Sequence, residues 1–469
     1  MPETGRHGPS STVVLETIGL ETVSQKRDSP RSKRPSLSGR SLGSYRPDEE
    51  QSPIDALPSP TVATEPVERW NQSRRNIYKS SASFWAFVIM GLNDATYGAI
   101  IPYLQTYYHL PYAIISLVFL SPFVGYVASA LMNNMIHLRF GQRGIAFLGP
   151  LCHLIAYIVI AVHPPYPVLV VAFILAGFAN GLEDAGWNAW MGAMANANEI
   201  LGFLHAFYGA GATIAPLIAT TMITKADLPW YYWYYCMIGF ACIEFATSLH
   251  AFWYETGAKY REVHARLSGQ EGSRLKEAIF KMPAARTTWL CASFLLCYVG
   301  VEVALGGWIV EFMIRVRHAA EFPSGMSATG FWLGMTVGRI VLGFVTPKIG
   351  EKLSIMIYLP IAVGLELLFW LVPQFYVSAV AVAFQGFFLG PMFPAAVVAC
   401  TKLLPKHLHV SSIGFAAAFG GSGGAIFPYA VGAIAQAKGV QVLQPIVLAL
   451  MAVCWLLWLA LPRINKKKE

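Results

Sequence analysis

Two predicted membrane helices carry carboxylate side chains within otherwise apolar runs. Asp94 lies in FWAFVIMGLNDATYGAIIPY, and the adjacent Glu183 and Asp184 lie in VVAFILAGFANGLEDAGWNAW. An ionised aspartate at the centre of a bilayer costs about 2.5 to 3.5 kcal/mol on insertion scales. Charged side chains kept at membrane depth are typical of sites that bind an ion or a substrate. The chemistry they predict is therefore reversible binding of an ion or a polar solute inside the membrane.

The second of these helices has a polar face. Asn180, Glu183, Asp184, Trp187 and Asn188 follow at the spacing i, i+3, i+4, i+7 and i+8, which places them on one side of a helix. We predict that this face lines a cavity, because a carboxylate joins helices poorly unless it is paired or protonated. The alternative is a polar stripe that hydrogen-bonds to neighbouring helices. Glu183 is the predicted proton carrier, since burial disfavours its charged form, whereas Asp184 is expected to cap or pair locally.

A further acidic residue, Glu302, lies in predicted helix seven, and two interpretations of it stay open. It either couples protons or makes a static contact with a histidine or a tyrosine. His205 has a similar ambiguity, because its titration range suits a proton partner while a histidine that only joins helices fits equally well. Polar and aromatic side chains line pockets for organic solutes. The predicted solute-contacting residues are Asn93, Asn180, Asn188, His205, Tyr208 and Trp308.

The composition places the chain in a membrane. Apolar residues make up 55% of it and charged residues 13%, against about 25% charged in soluble domains, and its mean hydropathy is +0.48. Twelve apolar stretches are long enough to cross a bilayer. They are predicted near 82–105, 112–135, 145–163, 167–191, 202–223, 230–253, 287–312, 325–347, 353–373, 376–402, 410–434 and 441–462. The predicted fold is all-α and polytopic, with twelve transmembrane helices arranged as two six-helix pseudo-repeats.

The positions of lysine and arginine predict the orientation. Most of those beside the predicted helices fall on the side that holds both chain ends, which places both termini in the cytoplasm. The net charge of +8 is thus mostly a topology signal. The serines of RSKRPSLSGRS are either kinase substrates or part of a basic tail near anionic lipid. The predicted parts are a disordered cytoplasmic tail (1–80), an N-terminal six-helix bundle (81–253), a cytoplasmic central loop (254–286), a C-terminal six-helix bundle (287–462) and a basic cytoplasmic tail (463–469).

Several function classes lack their sequence signals. All seven cysteines fall in or at the end of apolar segments, and neither a CxxC pair nor a histidine-rich spacing occurs. A zinc site and a disulfide framework are therefore not predicted. The sequence contains neither GxxxxGKS, nor GxxxxGKT, nor HExxH, so an ATP-driven pump and a metalloprotease are not predicted either. We predict no catalytic residue, no metal ligand and no cofactor.

The two predicted bundles repeat each other at an offset of 208 to 212 residues. A parallel repeat of six helices suits two bundles that rock about a central site and give alternating access, although simple helix packing also explains any single glycine. The counterpart of Glu183 is Met392, so we predict that the first half handles protons and the second contributes walls of the solute site. The matched positions are Asp94 with Glu302, Gly98 with Gly306, Gly125 with Gly334, Gly177 with Gly386, and AFYGAGATIAP (206–216) with AFGGSGGAIFP (418–428).

These features resemble the major facilitator superfamily, and more closely its fucose–proton symporter branch with its fungal members. The residues that carry the likeness are Leu92-Asn93-Asp94 and Ile101-Pro102-Tyr103 in helix one, Gly181-Leu182-Glu183 in helix four, HAFYGAGATIAP in helix five, YVGVEVALGGWIVEF in helix seven and GRIVLGFVTPKIGEK at helix eight. The resemblance implies that Glu183 and Asp94 couple protons to the substrate. Two departures stand out: NNMIHLRFGQRG has asparagine at the usual aspartate of the loop signature, and His205 and Tyr208 replace the side-chain amides of sugar-carrying members.

Together these patterns predict a proton-coupled secondary active transporter of a small organic solute, either sugar-like or another polar metabolite, working as a symporter by alternating access. Two alternatives stay open: a proton antiporter that exports a small metabolite, and a non-transporting nutrient sensor. An enzyme is not predicted. The expected partners are a small-molecule substrate, protons and the lipid bilayer, without nucleic acid. We expect a monomer in the plasma membrane, with the vacuole as the alternative.

Overall fold

The computed structural model describes residues 68–195, 197–264, 271–405 and 408–462. Most of the predicted N-terminal tail, with the serines of RSKRPSLSGRS, and the predicted basic C-terminal tail lie outside the described residues. The structural statements that follow concern the described ranges.

Twelve helices in these ranges are long and apolar enough to cross a membrane. They confirm the prediction of an all-α polytopic protein with twelve transmembrane helices. Three of the spans are interrupted: α2 at Ser116, α10 at Gly390 and Pro391, and α11 at Ser422. The spans are α1 (Arg74–Tyr108), α2 (Tyr112–Phe140), α3 (Gln142–Ala161), α4 (Tyr166–Gly192), α5 (Glu199–Thr224), α6 (Tyr232–Phe252), α7 (Ala284–Arg315), α8 (Glu321–Ile349), α9 (Glu351–Leu371), α10 (Phe375–Leu403), α11 (Ser411–Lys438) and α12 (Val440–Ala460).

The first helix begins earlier than the sequence predicts. Ser73 caps it, because its hydroxyl oxygen accepts a hydrogen bond from the backbone nitrogen of Asn76 at 3.1 Å. Residues 74–80 therefore belong to α1, and the predicted boundary between tail and bundle at residue 80 lies too late. Apolar content could not reveal this turn, since it carries Arg74 and Arg75 at the membrane edge.

The segment between the two six-helix halves contains two short helices, Gly257–His264 and Glu271–Phe280. These helices lie within the predicted central loop, whose sequence is charged and partly helical in pattern. The next span, α7, then begins at Ala284.

The two halves use the same packing scheme. In the first half α1 packs on α5, α2 on α4 and α3 on α6. In the second half α7 packs on α11, α8 on α10 and α9 on α12. We call the end of the bundle where α1 begins the near face and the end where α1 finishes the far face.

Matched glycines allow the same close helix contacts in both halves. Gly125 of α2 and Gly177 of α4 press against each other's helix, and a Cβ atom on either would collide with the backbone of the partner. Gly334 of α8 and Gly386 of α10 do the same at an offset of 209 residues. The structure therefore gives these repeated glycines a direct role in helix packing.

The halves meet through α1 with α7, α5 with α8 and α2 with α11. Among the described residues, the hydrogen bonds between the halves lie at the far face and at mid-depth. Tyr112 donates to Glu311 at 2.7 Å and Tyr103 donates to Glu321 at 3.2 Å, both near the far face. These contacts close the far face in this conformation.

Candidate functional site

Asp94 lies at mid-depth on α1 at the centre of a hydrogen-bond network. Its Oδ1 accepts from Asn180 Nδ2 at 2.9 Å and from Asn93 Nδ2 at 3.1 Å. Its Oδ2 accepts from the Tyr208 hydroxyl at 3.0 Å. The residue is only partly buried, in contrast to its two asparagine partners. Helices α1, α4 and α5 thus hold the carboxylate of a residue that keeps part of its surface exposed.

Asn93 lies behind this carboxylate. Its side chain is 1% exposed, and its Nδ2 also donates to the hydroxyl of Tyr97 at 2.7 Å. The hydroxyl of Tyr157 donates to Asn93 Oδ1 at 3.3 Å. Because its polar atoms are engaged by neighbours, Asn93 orients the network in this conformation. Its predicted contact with a solute stays a prediction.

The polar face of α4 is divided between two surroundings. Asn180, Glu183 and Trp187 are 0% exposed. Asp184 and Asn188 are partly exposed, and Asn188 Nδ2 donates to Asp184 Oδ1 at 2.7 Å. The prediction that the whole face lines a cavity is therefore wrong for Asn180, Glu183 and Trp187. The expected local pairing of Asp184 is present.

Packing explains this division. Glu183 points at α3, where a Cβ atom on Gly149 would collide with its carboxyl group. Trp187 stacks on Phe252 of α6, with ring centroids 4.3 Å apart. A single helix wheel shows which residues share a side but not which neighbouring helix covers part of that side. The predicted proton role of Glu183 stays a prediction, at a position away from an open cavity.

In the second half, Glu302 pairs with Arg339 of α8. The distance from Arg339 Nη2 to Glu302 Oε1 is 2.7 Å, and Glu302 is 7% exposed. The partner is thus an arginine, where the sequence left a histidine or a tyrosine as the static alternative. Arg339 also interacts electrostatically with His205 and Tyr208. The ion pair of the second half therefore lies close to the carboxylate network of the first.

His205 and Trp308 lie in different parts of the molecule. His205 is partly exposed on α5, with its ring 5.6 Å from that of Phe87 and 6.5 Å from that of Phe393 in the other half. Trp308 is 0% exposed, and its Nε1 donates to the carbonyl of Pro428 at 2.9 Å. His205 is positioned beside the central network, whereas Trp308 is packed toward the far face.

Sequence reasoning missed two residues next to this network. His153 of α3 lies between Asn180, whose Oδ1 is 2.8 Å from Nε2, and Glu244 of α6, whose Oε2 is 3.0 Å from Nδ1. His153 and Glu244 are both 0% exposed. Glu244 stands alone in the apolar run CMIGFACIEFATSL, so the rule that singled out Asp94 also applied to it.

Comparisons with known proteins fit this architecture. The sequence matches the Major Facilitator Superfamily over residues 83–357 and 304–469. The chain is a member of the Major Facilitator Superfamily. It is 30% identical over 413 residues to Bypass of stop codon protein 6 of Saccharomyces cerevisiae, which covers 82% of each chain. It is also 23% identical over 353 residues to the glucose/mannose transporter GlcP of Bacillus subtilis, covering 74% of this chain and 85% of GlcP.

The fold also matches a solved structure of the superfamily. The crystal structure of the transporter FucP in the outward conformation aligns with a TM-score of 0.58 at 12% identity, over 83% of this chain and all of FucP. The predicted resemblance is confirmed. This superfamily member is an integral multi-pass membrane protein of a transporter family, and such transporters bind small-molecule substrates within the membrane.

Proposed function

We propose that this protein is a proton-coupled secondary active transporter that moves a small polar organic solute by alternating access. The observation that carries the proposal is Asp94. It is a partly exposed residue at mid-depth whose carboxylate accepts hydrogen bonds from Asn180 and Tyr208, on two other helices of the first half. A carboxyl group in this position can bind a proton while it is reachable from water.

The groups around Asp94 suit a polar solute. The Asp184–Asn188 pair and the Glu302–Arg339 pair supply charged and amide groups, and His205 adds an imidazole between aromatic rings. Few polar groups among aromatic walls are typical of organic-solute sites. The likeness to the glucose/mannose transporter GlcP supports a sugar-like solute.

Coupling follows from the acceptor role of Asp94. The ionised carboxylate accepts from the Tyr208 hydroxyl. When a proton binds one carboxylate oxygen, an O–H bond forms and the group loses acceptor strength, so the Tyr208 hydroxyl becomes available to a solute. Release reverses this step, and the proton passes to water on the open side. Glu183 and Glu302 remain further proton-coupling candidates in this scheme.

The test is flux through proteoliposomes under an imposed pH gradient, with a labelled panel of hexoses, organic acids and less polar metabolites. The variants are Asp94→Asn and Glu183→Gln, with Glu366→Gln as the matched control. Glu366 is a buried carboxyl in the second half that accepts from Gln385 at 2.8 Å. We expect gradient-driven flux that Asp94→Asn abolishes and Glu366→Gln retains. Absence of flux for the whole panel with folded protein would overturn transport and favour the sensor.

Export by proton antiport is the second candidate function. It is favoured by the aromatic surroundings of His205, which lies between Phe87 and Phe393. Such surroundings suit a solute with an apolar face. In the same vesicles, efflux driven by an inward proton gradient identifies this mode, whereas uptake in the direction of proton flow identifies symport.

We further propose a plasma-membrane monomer with both termini in the cytoplasm. The near face carries Arg75, Lys79 and Lys259 around Glu255, and it also carries Lys352 and Lys402. Basic side chains gather on the cytoplasmic side of membrane proteins. Labelling of a cysteine placed at an exposed near-face position in intact and permeabilised cells tests the orientation, and microscopy of a tagged chain separates the plasma membrane from the vacuole.

A further inference from the structure

A buried cluster of titratable side chains lies inside the first half, beside the central network. It consists of His153 of α3, Glu183 of α4 and Glu244 of α6, each 0% exposed. One donor atom from each lies within 4.8 Å of the other two. Both carboxyl oxygens of Glu183 lack a hydrogen-bond partner among the described residues, although the group is fully buried and directed into the cluster. A buried polar group without a partner requires a physical explanation, and a bound proton is one.

The hydrogen-bond pattern places hydrogens in the cluster. Asn180 Nδ2 donates to Asp94, and this contact assigns the amide oxygen to the side facing His153. His153 Nε2 must then carry a hydrogen, because it lies 2.8 Å from that oxygen. The other ring nitrogen, Nδ1, lies 3.0 Å from Glu244 Oε2. One more proton is needed between these two atoms, on either the imidazole or the carboxyl group.

The charges of the cluster require a second proton. The described lysine and arginine ion pairs are elsewhere. Glu255 pairs with Arg75, Lys79 and Lys259, Glu311 with Arg315, Glu302 with Arg339 and Glu351 with Lys402. His153 is thus the described basic side chain that lies beside both carboxyl groups. An unpaired buried carboxylate is costly. The cluster is neutral only when two protons are shared among Nδ1, Glu244 and Glu183.

We infer that His153, Glu183 and Glu244 form a proton-binding site inside the first half, separate from Asp94, that gains and loses one proton between a neutral and a singly negative state. On loading, a carboxylate oxygen of the cluster forms an O–H bond with a proton drawn from water. On release that bond breaks and the proton returns to water. The amide of Asn180 does not carry the proton. Its hydrogen bonds to His153 and to Asp94 connect the charge of the cluster to Asp94.

Other titratable groups lie near the cluster and contribute to its pH dependence. The ring of Tyr157 stacks on His153 with centroids 5.5 Å apart, and Cys152 interacts electrostatically with Glu183. Asp94 of α1 interacts electrostatically with His153, and Tyr97 of α1 and Tyr234 of α6 interact with Tyr157. Asp184 of α4 and Tyr208 of α5 interact in turn with Asp94.

The site can be tested on purified protein without any substrate. The readouts are the infrared carbonyl band of buried carboxylic acids and proton uptake after a pH jump, measured with an indicator dye. We expect Glu183→Gln to remove a carboxylic-acid component and Glu244→Gln or His153→Gln to shift the remaining one. Proton uptake should fall in all three variants. Glu366→Gln is the control, since it removes a buried carboxyl group of the second half. The spectral shift and the loss of proton uptake caused by His153→Gln should be the same with and without this substitution.

Two results would overturn the proposal. The first is that folded Glu183→Gln, Glu244→Gln and His153→Gln all have the infrared spectrum and the proton uptake of wild type. The other is a stoichiometric divalent cation, such as zinc, found by elemental analysis and removed by a chelator with loss of stability, since the same donor set could hold a metal. Glu183→Gln on α4 and Glu244→Gln on α6 are both conservative, so the test remains valid if one of them fails to fold.

The role of this site in coupling rests on the proposed proton-coupled transport, whereas proton binding does not. Vesicle flux therefore separates the two ideas. A carboxylic-acid band without flux for any solute would sink the transport proposal and leave the proton site standing. Gradient-driven flux whose pH profile is the same in wild type and His153→Gln would remove the site from coupling.

Discussion

Gly98 of α1 lies directly against the carbonyl group of Gly306 of α7, with no room for a side chain between the two helices. The two glycines are equivalent positions of the repeat, four residues after Asp94 and Glu302 respectively. They therefore lie where the two halves cross, close to the axis that relates them. Any change in the angle between the halves has to be accommodated at this contact.

A side chain at Gly98 should separate the halves at this crossing. We expect Gly98→Val to lower the thermal stability of the purified protein, by about 1 to 3 kcal/mol from overpacking, and to reduce flux. Differential scanning fluorimetry in detergent measures the first effect. Gly239→Val in α6 is the control, because a Cβ atom there meets nothing within 4 Å. Equal stability of the two variants would contradict the contact.

The hydrogen bond from Tyr112 to Glu311 is expected to hold the far face closed. Its loss in Tyr112→Phe should shift the balance toward an open far face by about 1.5 kcal/mol, roughly tenfold, as for a bond to a charged group. The measurement is the rate at which a membrane-impermeant maleimide labels Ser116→Cys. This residue is 0% exposed and packs against Gly432 of the other half.

The labelling needs a matched background and control. Cys152, Cys236 and Cys242 are not fully buried and are first replaced by serine. Tyr108→Phe serves as the control, because the Tyr108 hydroxyl donates to the carbonyl of Pro164 within the same half. Faster labelling only in Tyr112→Phe supports the closure, and the same rate in both tyrosine variants argues against it.

The Glu302–Arg339 pair should show strong coupling between its two charges. Removing one partner of a largely buried pair leaves an uncompensated charge, which costs about 3 to 5 kcal/mol. We expect Arg339→Gln alone to destabilise the protein more than Glu302→Gln and Arg339→Gln together. Thermal unfolding of the two single variants and the double variant gives the coupling energy. Additive effects would show that the two side chains act independently.

Glu255 at the near face should make stability depend on acid pH. Burial acts to raise the pKa of Glu255, but hydrogen bonds from Lys259 and Lys79 outweigh it, so its pKa lies below the usual 4.5. A pKa that is lower in the folded than in the unfolded protein stabilises the fold above the unfolded value, and this stabilisation is lost as pH falls through the folded pKa. Below pH 4.5, wild type should therefore lose stability on acidification more steeply than Glu255→Gln.

Thermal unfolding of the purified protein across this acid range provides the measurement. Glu262→Gln is the control, since Glu262 is exposed on the short helix Gly257–His264. Its curve should follow that of wild type. Parallel curves for wild type and Glu255→Gln would exclude Glu255 as the source of the acid sensitivity.

The helices were predictable because a span must be long and apolar, whatever it contacts. The site was predictable only in part. Asp94 stands out as a charge in an apolar run, but its bonds to Asn180 and Tyr208 depend on which helices are neighbours, and spacing along one helix does not contain that information. Glu183 shows the limit most clearly, since its position on a polar face is correct while the direction of that face is decided by packing on Gly149.

The matched glycines also record what the two halves have in common. Gly125 and Gly177 have counterparts in Gly334 and Gly386, and at these positions one helix backbone contacts another. The counterpart of Glu183 in the same alignment is Met392. A duplicated gene would leave this pattern if both copies had to preserve one shared frame while each was free to change its chemistry. The matched glycines then reflect the common origin of the two halves. Acids that only one half has, such as Glu183, reflect its specialisation.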